Sequence, residues 1–190
     1  MSFDNSKIST KEATKILYAN YDIEGSVLEL DGEIDFNFKV NSVDGKNYLL
    51  KISRPGFKSD YIDFQIKLLD HLNKNCEIEI TKSELTIEGS RSCIVKDGLG
   101  RDRCVRLLSW VEGRLWSSVN PINKSLRKEL GYKAAILSNS LINFKHSFSK
   151  REIEWDISNS LWVEDHLDKF DTDQKKILKT FRLDYRLLLR

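Results

Sequence analysis

The sequence has little of what several functional classes require. Among its 190 residues only three are cysteines, three are histidines and two are prolines. The cysteines lie far apart and form no Cys-x-x-Cys pair, which argues against a disulfide framework or a zinc site and is typical of reduced thiols in a cytoplasmic protein. With so few histidines, metal-dependent and triad-type catalysis have few candidate residues.

Two further absences concern charge and long apolar runs. The chain has 31 Lys and Arg against 29 Asp and Glu, a formal net charge of +2, so it lacks the electrostatic signature of a protein that binds nucleic acid or an anionic membrane. No apolar run approaches the roughly 20 residues that a membrane helix needs. The first ten residues, MSFDNSKIST, contain no apolar segment of a secretory signal. We therefore expect a cytoplasmic protein with neither nucleic acid nor membrane as a partner.

What the chain does have is apolar side chains in regular patterns. Hydrophobic residues make up 40% of the sequence, enough for the core of one large domain. Ser9 and Glu12 form a capping box for a first helix, and Asp44-Gly45 predicts a hairpin turn. The order expected after that helix is strand, strand, strand, helix, strand, strand, in the segments SVLEL, FNFKV, NYLLKIS, DYIDFQIKLLDHLNKN, SCIVK and RCVRLLSWV.

The pattern becomes helical after Gly113. Asn123 can cap a helix with an apolar stripe, and two more helical segments follow, SNSLWVEDHLDKF and TDQKKILKTFRLDYRLLLR. We therefore predict an α+β protein in two parts. Residues 1–111 would form a protein-kinase-like small lobe, an antiparallel sheet of about five strands with one inserted helix. Residues 112–190 would form a hinge and the first helices of a helical large lobe.

This order of elements suggests where nucleotide chemistry would take place. Phosphoryl transfer needs a backbone flap over the phosphates, a cation that holds them and an acid that holds the cation. The flap would be residues 31–37, in which Asp31-Gly32 makes the bend, and it would act through its backbone N–H groups because carboxylates repel phosphate. The cation would be Lys51 on the third strand, and the acid would be Asp63 on the following helix.

The chain resembles the aminoglycoside phosphotransferase and choline kinase superfamily, in particular its homoserine-kinase-like and hydroxylysine-kinase-like branch. The resemblance extends from about residue 25 to about residue 170 and rests on the order and spacing of five segments, IDFNFKV, YLLKIS, DYIDFQIKLLDHL, CVRLLSWVEGR and LGYKAAILSNSLINF. It implies a two-lobed, ATP-dependent phosphotransferase that acts on a hydroxyl of a small molecule. An amino alcohol, a hydroxy amino acid and an aminoglycoside-like compound are the acceptor classes it suggests.

The resemblance also implies roles for particular residues. Asp35, Asn37 and Phe38 match the nucleotide-loop pattern, and Lys51 matches the phosphate-binding lysine. Asp63 occupies the position that a glutamate paired with this lysine usually holds.

The resemblance also bears on the hinge and on the end of the chain. Trp110 and Val111 match the hinge, and the backbone of Ser109, Trp110 and Val111 would hold adenine. The catalytic pattern H-G-D-x-x-x-x-N and the metal-binding Asp motif that follows it are not found in the sequence. The nearest match is His166-Leu167-Asp168 with Asp173, within a segment that reads as a helix and its end. We therefore expect no catalytic or metal-binding residues in this chain, which would stop before that machinery, and Mg²⁺ only in a complete protein.

Alternatives remain at each position. Lys51 could be an ordinary strand lysine, Asp63 a solvated helix residue, and Asp31, Glu33 and Asp35 simple turn formers. For the whole chain, the alternative is a non-catalytic nucleotide-binding or protein-interaction module that associates with itself through an exposed partial lobe.

Overall fold

The structure is a computed structural model that describes residues 7–150, 153 and 156–188. The first part of the chain contains helix α1 and strands β1 to β5, with helix α2 between β3 and β4. Their bounds are Thr10–Tyr21 (α1), Gly25–Leu30 (β1), Phe36–Ser42 (β2), Asn47–Ile52 (β3), Ser59–Asn75 (α2), Cys93–Lys96 (β4) and Asp102–Ser109 (β5). The predicted α+β class and the five-stranded sheet with one inserted helix are confirmed.

Local sequence signals explain where these elements begin and turn. The Ser9 side chain accepts a hydrogen bond from the Glu12 backbone N–H at 3.2 Å, as the capping box predicts. Gly45 adopts a φ of 82° in the turn between β2 and β3, a conformation that glycine reaches without steric cost. Helix α2 turns Ile62, Phe64 and Leu72 into the protein, so its packing follows its apolar pattern.

The five strands form one antiparallel sheet in the order β1-β2-β3-β5-β4. The register aligns Asn37 of β2 with Lys51 of β3, and Lys51 with Arg106 of β5. Side chains that are aligned across adjacent strands lie on the same face of a sheet. One face of the sheet therefore carries a polar row across its three central strands.

The hydrophobic core lies on the opposite face, beneath α1. It includes Phe38, Leu50 and Leu107, all of them 0% exposed, from three adjacent strands. Ala13 and Leu17 of α1 are equally buried against them. Burying such side chains stabilises the fold by about 1.5–3 kcal/mol each. This packed layer therefore holds in place the three strands whose other face carries the polar row.

The second part of the chain is helical, as predicted. Helix α3 spans Lys124–Leu141 and begins at Asn123, whose side chain accepts a hydrogen bond from the Leu126 N–H at 2.8 Å. The segment predicted as the next helix is a 3-10 helix over Ile157–Lys169, and α4 follows over Thr172–Leu188.

The chain separates into two compact units, one ending at Phe148 and the other beginning at Ser149. The first unit thus includes α3 together with the sheet, whereas the predicted lobe boundary between residues 111 and 112 stays a prediction. No helix in the described part of the chain is both long and apolar enough for a membrane crossing.

Candidate functional site

The polar row on the sheet is an ionic cluster built around one carboxylate. Asp35 precedes β2, and its Oδ2 lies 2.8 Å from the guanidinium of Arg106 and 3.3 Å from Lys51 Nζ. Lys51 Nζ also donates a hydrogen bond to Asn37 Oδ1 at 2.9 Å. Arg106 donates a further hydrogen bond to Gln65 Oε1, so the cluster links three strands with α2.

Burial in this cluster increases away from Lys51. The side chain of Lys51 is 22% exposed, whereas those of Asp35 and Arg106 are 9% and 3% exposed. Two cations therefore share one carboxylate, and the more accessible cation is the lysine. Because burial weakens the competition from water, a positive charge in excess at such a place attracts an anion strongly. The arrangement can bind a phosphate or carboxylate group at Lys51.

The loop between β1 and β2, residues 31–35, is folded against the same cluster. Asn37 Nδ2 lies 3.3 Å from the Asp35 carbonyl oxygen and 3.4 Å from that of Asp31, to which it donates. A Cβ added at Gly32 would lie inside van der Waals distance of the Asn37 amide and of the Asp35 carbonyl. Gly32 is therefore required for the close approach between the loop and Asn37, and Asn37 connects the loop to Lys51.

An arginine two residues after β3 holds the other side of this loop. Arg54 Nε donates to the Ile34 carbonyl at 3.0 Å, and its guanidinium lies 4.9 Å from the centroid of the Phe36 ring. The carboxylates of Asp31 and Glu33 are on exposed residues. The acidic side chains of the loop thus divide into an exposed set and the buried Asp35.

The segment after β5 is the predicted hinge, and part of its backbone already has partners. The Ser109 N–H donates to the Lys82 carbonyl at 2.8 Å, and its carbonyl accepts from Thr81 Oγ1 at 2.6 Å. The Trp110 N–H donates to the Asn47 carbonyl at 3.2 Å. Among the residues that the structure describes, the Trp110 carbonyl and the Val111 N–H have no hydrogen-bond partner. Both backbone polar groups of Ser109 therefore have a partner within the protein, and the predicted contact of Ser109 with adenine stays a prediction.

The expected ion pair between Lys51 and Asp63 is wrong. Asp63 Oδ2 lies 2.8 Å from Lys67 Nζ and 2.9 Å from His146 Nε2, and Asp35 is the acid next to Lys51. Hydrogen bonds from Lys67 and then from His146 hold the pKa of Asp63 below its usual value. Asp63 therefore belongs to a different contact, which joins α2 to the segment after α3.

That contact lies in an aromatic cluster on α2. The Phe64 ring centroid is 5.5 Å from that of His146 and 5.9 Å from that of Phe144. Nδ1 of His146 accepts the Phe148 N–H at 3.1 Å, so Nε2 carries the proton that faces Asp63. Aromatic pairs at these separations stabilise by about 0.5–1.5 kcal/mol each. The cluster fixes α2 against the residues that follow α3.

Arg106 and Gln65 are not among the residues predicted for the site. A signal for Arg106 was present, because it interrupts the apolar run of β5 between Val105 and Leu107. A charged residue there must be buried and therefore needs a partner. Gln65 lies three residues after the buried Ile62 on α2 and so shares its face, whereas Asp63 does not.

The nearest sequence match to the catalytic pattern lies in the 3-10 helix and at the start of α4. His166 and Asp168 lie in the 3-10 helix, where the His166 ring is 5.9 Å from that of Trp162, and Asp173 lies in the first turn of α4. Within residues 7–150, 153 and 156–188, no group of three or more His, Cys, Asp or Glu side chains is arranged to hold a metal ion.

Comparison with known proteins connects this architecture with two solved structures. No protein-family model matches the chain, and no curated protein matches it by sequence. A structure of an amicoumacin kinase in complex with AMP-PNP, Ca²⁺ and Ami is similar with a TM-score of 0.70 and 17% identity, over 96% of this chain and 54% of that one. A microcompartment-associated aminopropanol kinase is similar with a TM-score of 0.60 and 16% identity, over 78% of this chain and 45% of that one.

These similarities extend over most of this chain and about half of each kinase. The fold implied by the sequence resemblance is therefore confirmed. The chain has the fold that the amicoumacin kinase and the aminopropanol kinase share with it.

Proposed function

We propose that this chain binds ATP as the nucleotide-binding part of a kinase that phosphorylates a hydroxyl of a small molecule. The observation that carries the proposal is the ionic cluster, in which Lys51 is the accessible member of a group with one more cation than acid. The fold supports it, since the amicoumacin kinase structure contains the ATP analogue AMP-PNP.

The polar groups of the cluster and of the hinge are of the kinds that a nucleotide would need. Lys51 would hold the phosphates, and Asn37 would fix its ammonium group. The backbone of residues 31–35 would cover them, held in place through Asn37. The Trp110 carbonyl and the Val111 N–H would hold the adenine edge, because they have no partners in the described part of the protein. The nucleotide, when bound, would supply the phosphoryl group to be transferred.

The acceptor would be an amino alcohol, a hydroxy amino acid or an aminoglycoside-like compound. The two similar kinases act, by their names, on amicoumacin and on aminopropanol, and this chain spans about half the length of each. We infer that this chain contributes nucleotide binding and that the catalytic base and the Mg²⁺ ligands are supplied by a complete protein.

Thermal unfolding in the presence of Mg²⁺-ATP tests nucleotide binding. At a ligand concentration of about 100 Kd, binding adds roughly 2.7 kcal/mol to the free energy of unfolding, which for a protein of this size raises Tm by about 5–10 °C. The Lys51→Met variant should lose this rise, whereas Lys96→Met should keep it because Lys96 is an exposed lysine paired with Asp102. A Tm that ATP leaves unchanged in the wild type would favour the protein-interaction module.

A coupled assay of ADP release tests whether the chain acts alone. With ATP and a panel of hydroxylated amines, we expect ADP release no faster than in a protein-free control. Acceptor-dependent turnover by this chain would contradict the inference that the catalytic base lies outside it.

A further inference from the structure

Arg106 is a buried arginine that no role proposed so far requires. It is 3% exposed, lies next to Lys51 in the sheet register, and shares the same Asp35 oxygen with it. Its guanidinium also donates to Gln65 of α2, and its Nε is buried without a hydrogen-bond partner in the described residues. Keeping such a group buried costs free energy, so its charge calls for an explanation.

The charges of the cluster suggest what Arg106 does when an anion arrives. Asp35 is buried, and a buried carboxylate costs free energy unless a cation is paired with it. With Arg106 at 2.8 Å, Asp35 keeps such a partner even when Lys51, at 3.3 Å, turns to another anion. Without Arg106, Lys51 would be the only cation of the cluster facing Asp35, and an incoming phosphate would have to compete with that carboxylate.

We propose that Arg106 is a positioning residue for nucleotide binding: it retains Asp35 and thereby frees Lys51 for the phosphates. The inference rests on the proposed ATP site and deepens it. Arg106 itself does not touch the nucleotide, since the exposed end of the cluster is Lys51. Its effect is specific for phosphates, because adenine would bind at residues 110–111 and not at the cluster.

The test is titration calorimetry of adenosine and of AMP-PNP with the wild type and with Arg106→Met. Arg106→Met should weaken AMP-PNP binding by on the order of tenfold or more, as expected when a buried charge pair loses one partner, and should leave adenosine binding unchanged. The double variant with Asp35→Asn and Arg106→Met should recover AMP-PNP binding, because the competing carboxylate is gone. A purely structural role for Arg106 predicts instead that Arg106→Met weakens adenosine binding as well as AMP-PNP binding.

Two further variants keep the inference testable if Arg106→Met does not fold. Arg106→Lys keeps a cation beside Asp35 and should bind AMP-PNP more tightly than Arg106→Met. Asp35→Asn leaves both cations in place and should bind AMP-PNP at least as tightly as the wild type. Weaker AMP-PNP binding by Asp35→Asn, or a double variant as weak as Arg106→Met, overturns the inference.

The outcome separates this inference from the proposed function. If the wild type binds AMP-PNP, Lys51→Met does not, and folded Arg106→Met binds like the wild type, the role of Arg106 alone is refuted. If the wild type binds neither ligand, the ATP site itself is refuted, and the role of Arg106 with it.

Discussion

Gly32→Ala is the substitution that most directly perturbs the loop over the ionic cluster. The added Cβ would lie 3.3 Å from Asn37 Cγ and inside van der Waals distance of the Asn37 amide nitrogen and of the Asp35 carbonyl. One of these neighbours is backbone, so the loop has to move. Forcing extra atoms into a close-packed site typically costs about 1–3 kcal/mol. For a protein of this size that lowers Tm by about 2–4 °C per kcal/mol.

The same movement should weaken nucleotide binding. Asn37 accepts a hydrogen bond from Lys51 and donates to the loop, so displacing it disturbs both. Hydrogen bonds to charged groups stabilise by about 1.5–3 kcal/mol, and losing one should weaken AMP-PNP binding by on the order of tenfold.

Thermal unfolding and AMP-PNP titration are the assays, and Gly98→Ala is the matched control because no atom lies within 4 Å of a Cβ added there. Equal Tm values and equal AMP-PNP affinities for Gly32→Ala and Gly98→Ala would refute this role of Gly32.

Two further predictions concern groups outside the cluster. Hydrogen bonds from Lys67 and His146 hold the pKa of Asp63 below its usual value. The unfolded state therefore binds more protons there, and this contribution to stability is lost as pH falls from about 4 through the folded-state pKa. Urea unfolding of Asp63→Asn should depend less on pH between about 3 and 5 than that of the wild type; an equal dependence would contradict the assignment. Burial raises the pKa of the Cys93 thiol to about 11 and also raises that of Cys104. At pH 8 iodoacetamide should therefore modify partly exposed Cys76 first, and mass spectrometry showing Cys93 or Cys104 modified first in the folded protein would refute this.

Much of the fold could be predicted because its signals are local. The Ser9 cap, the Asp44-Gly45 turn and the alternation in β2 each depend on a few neighbouring residues. The position of Lys51 on a polar sheet face also followed from strand alternation. Each of these features is decided within one element or one turn, where periodicity is informative.

The partner of Lys51 could not be found in this way. The prediction placed an acid on α2, but the acid comes from the loop before β2, and α2 contributes the neutral Gln65. Which of Asp63 and Gln65 meets the sheet depends on the rotation of α2 about its axis, and which acid meets Lys51 depends on the register of β2, β3 and β5. Both are tertiary properties that packing decides.

The hinge shows the same limit. Residues 81–82 were not predicted to contact β5, yet they bond both backbone polar groups of Ser109. A contact between segments 28 residues apart in sequence produces no periodic pattern of residue types in either segment, so it cannot be predicted from such a pattern.

The central claim is tested most directly by measuring how the affinity for three ligands with different numbers of phosphates depends on Lys51. Titration calorimetry of adenosine, ADP and AMP-PNP with the wild type should show affinity rising as phosphates are added, because Lys51 is the accessible cation of the cluster. In Lys51→Met that rise should disappear while adenosine affinity stays unchanged. If Lys51→Met gains as much affinity from the phosphates as the wild type does, Lys51 is not the phosphate-binding residue and the account is contradicted.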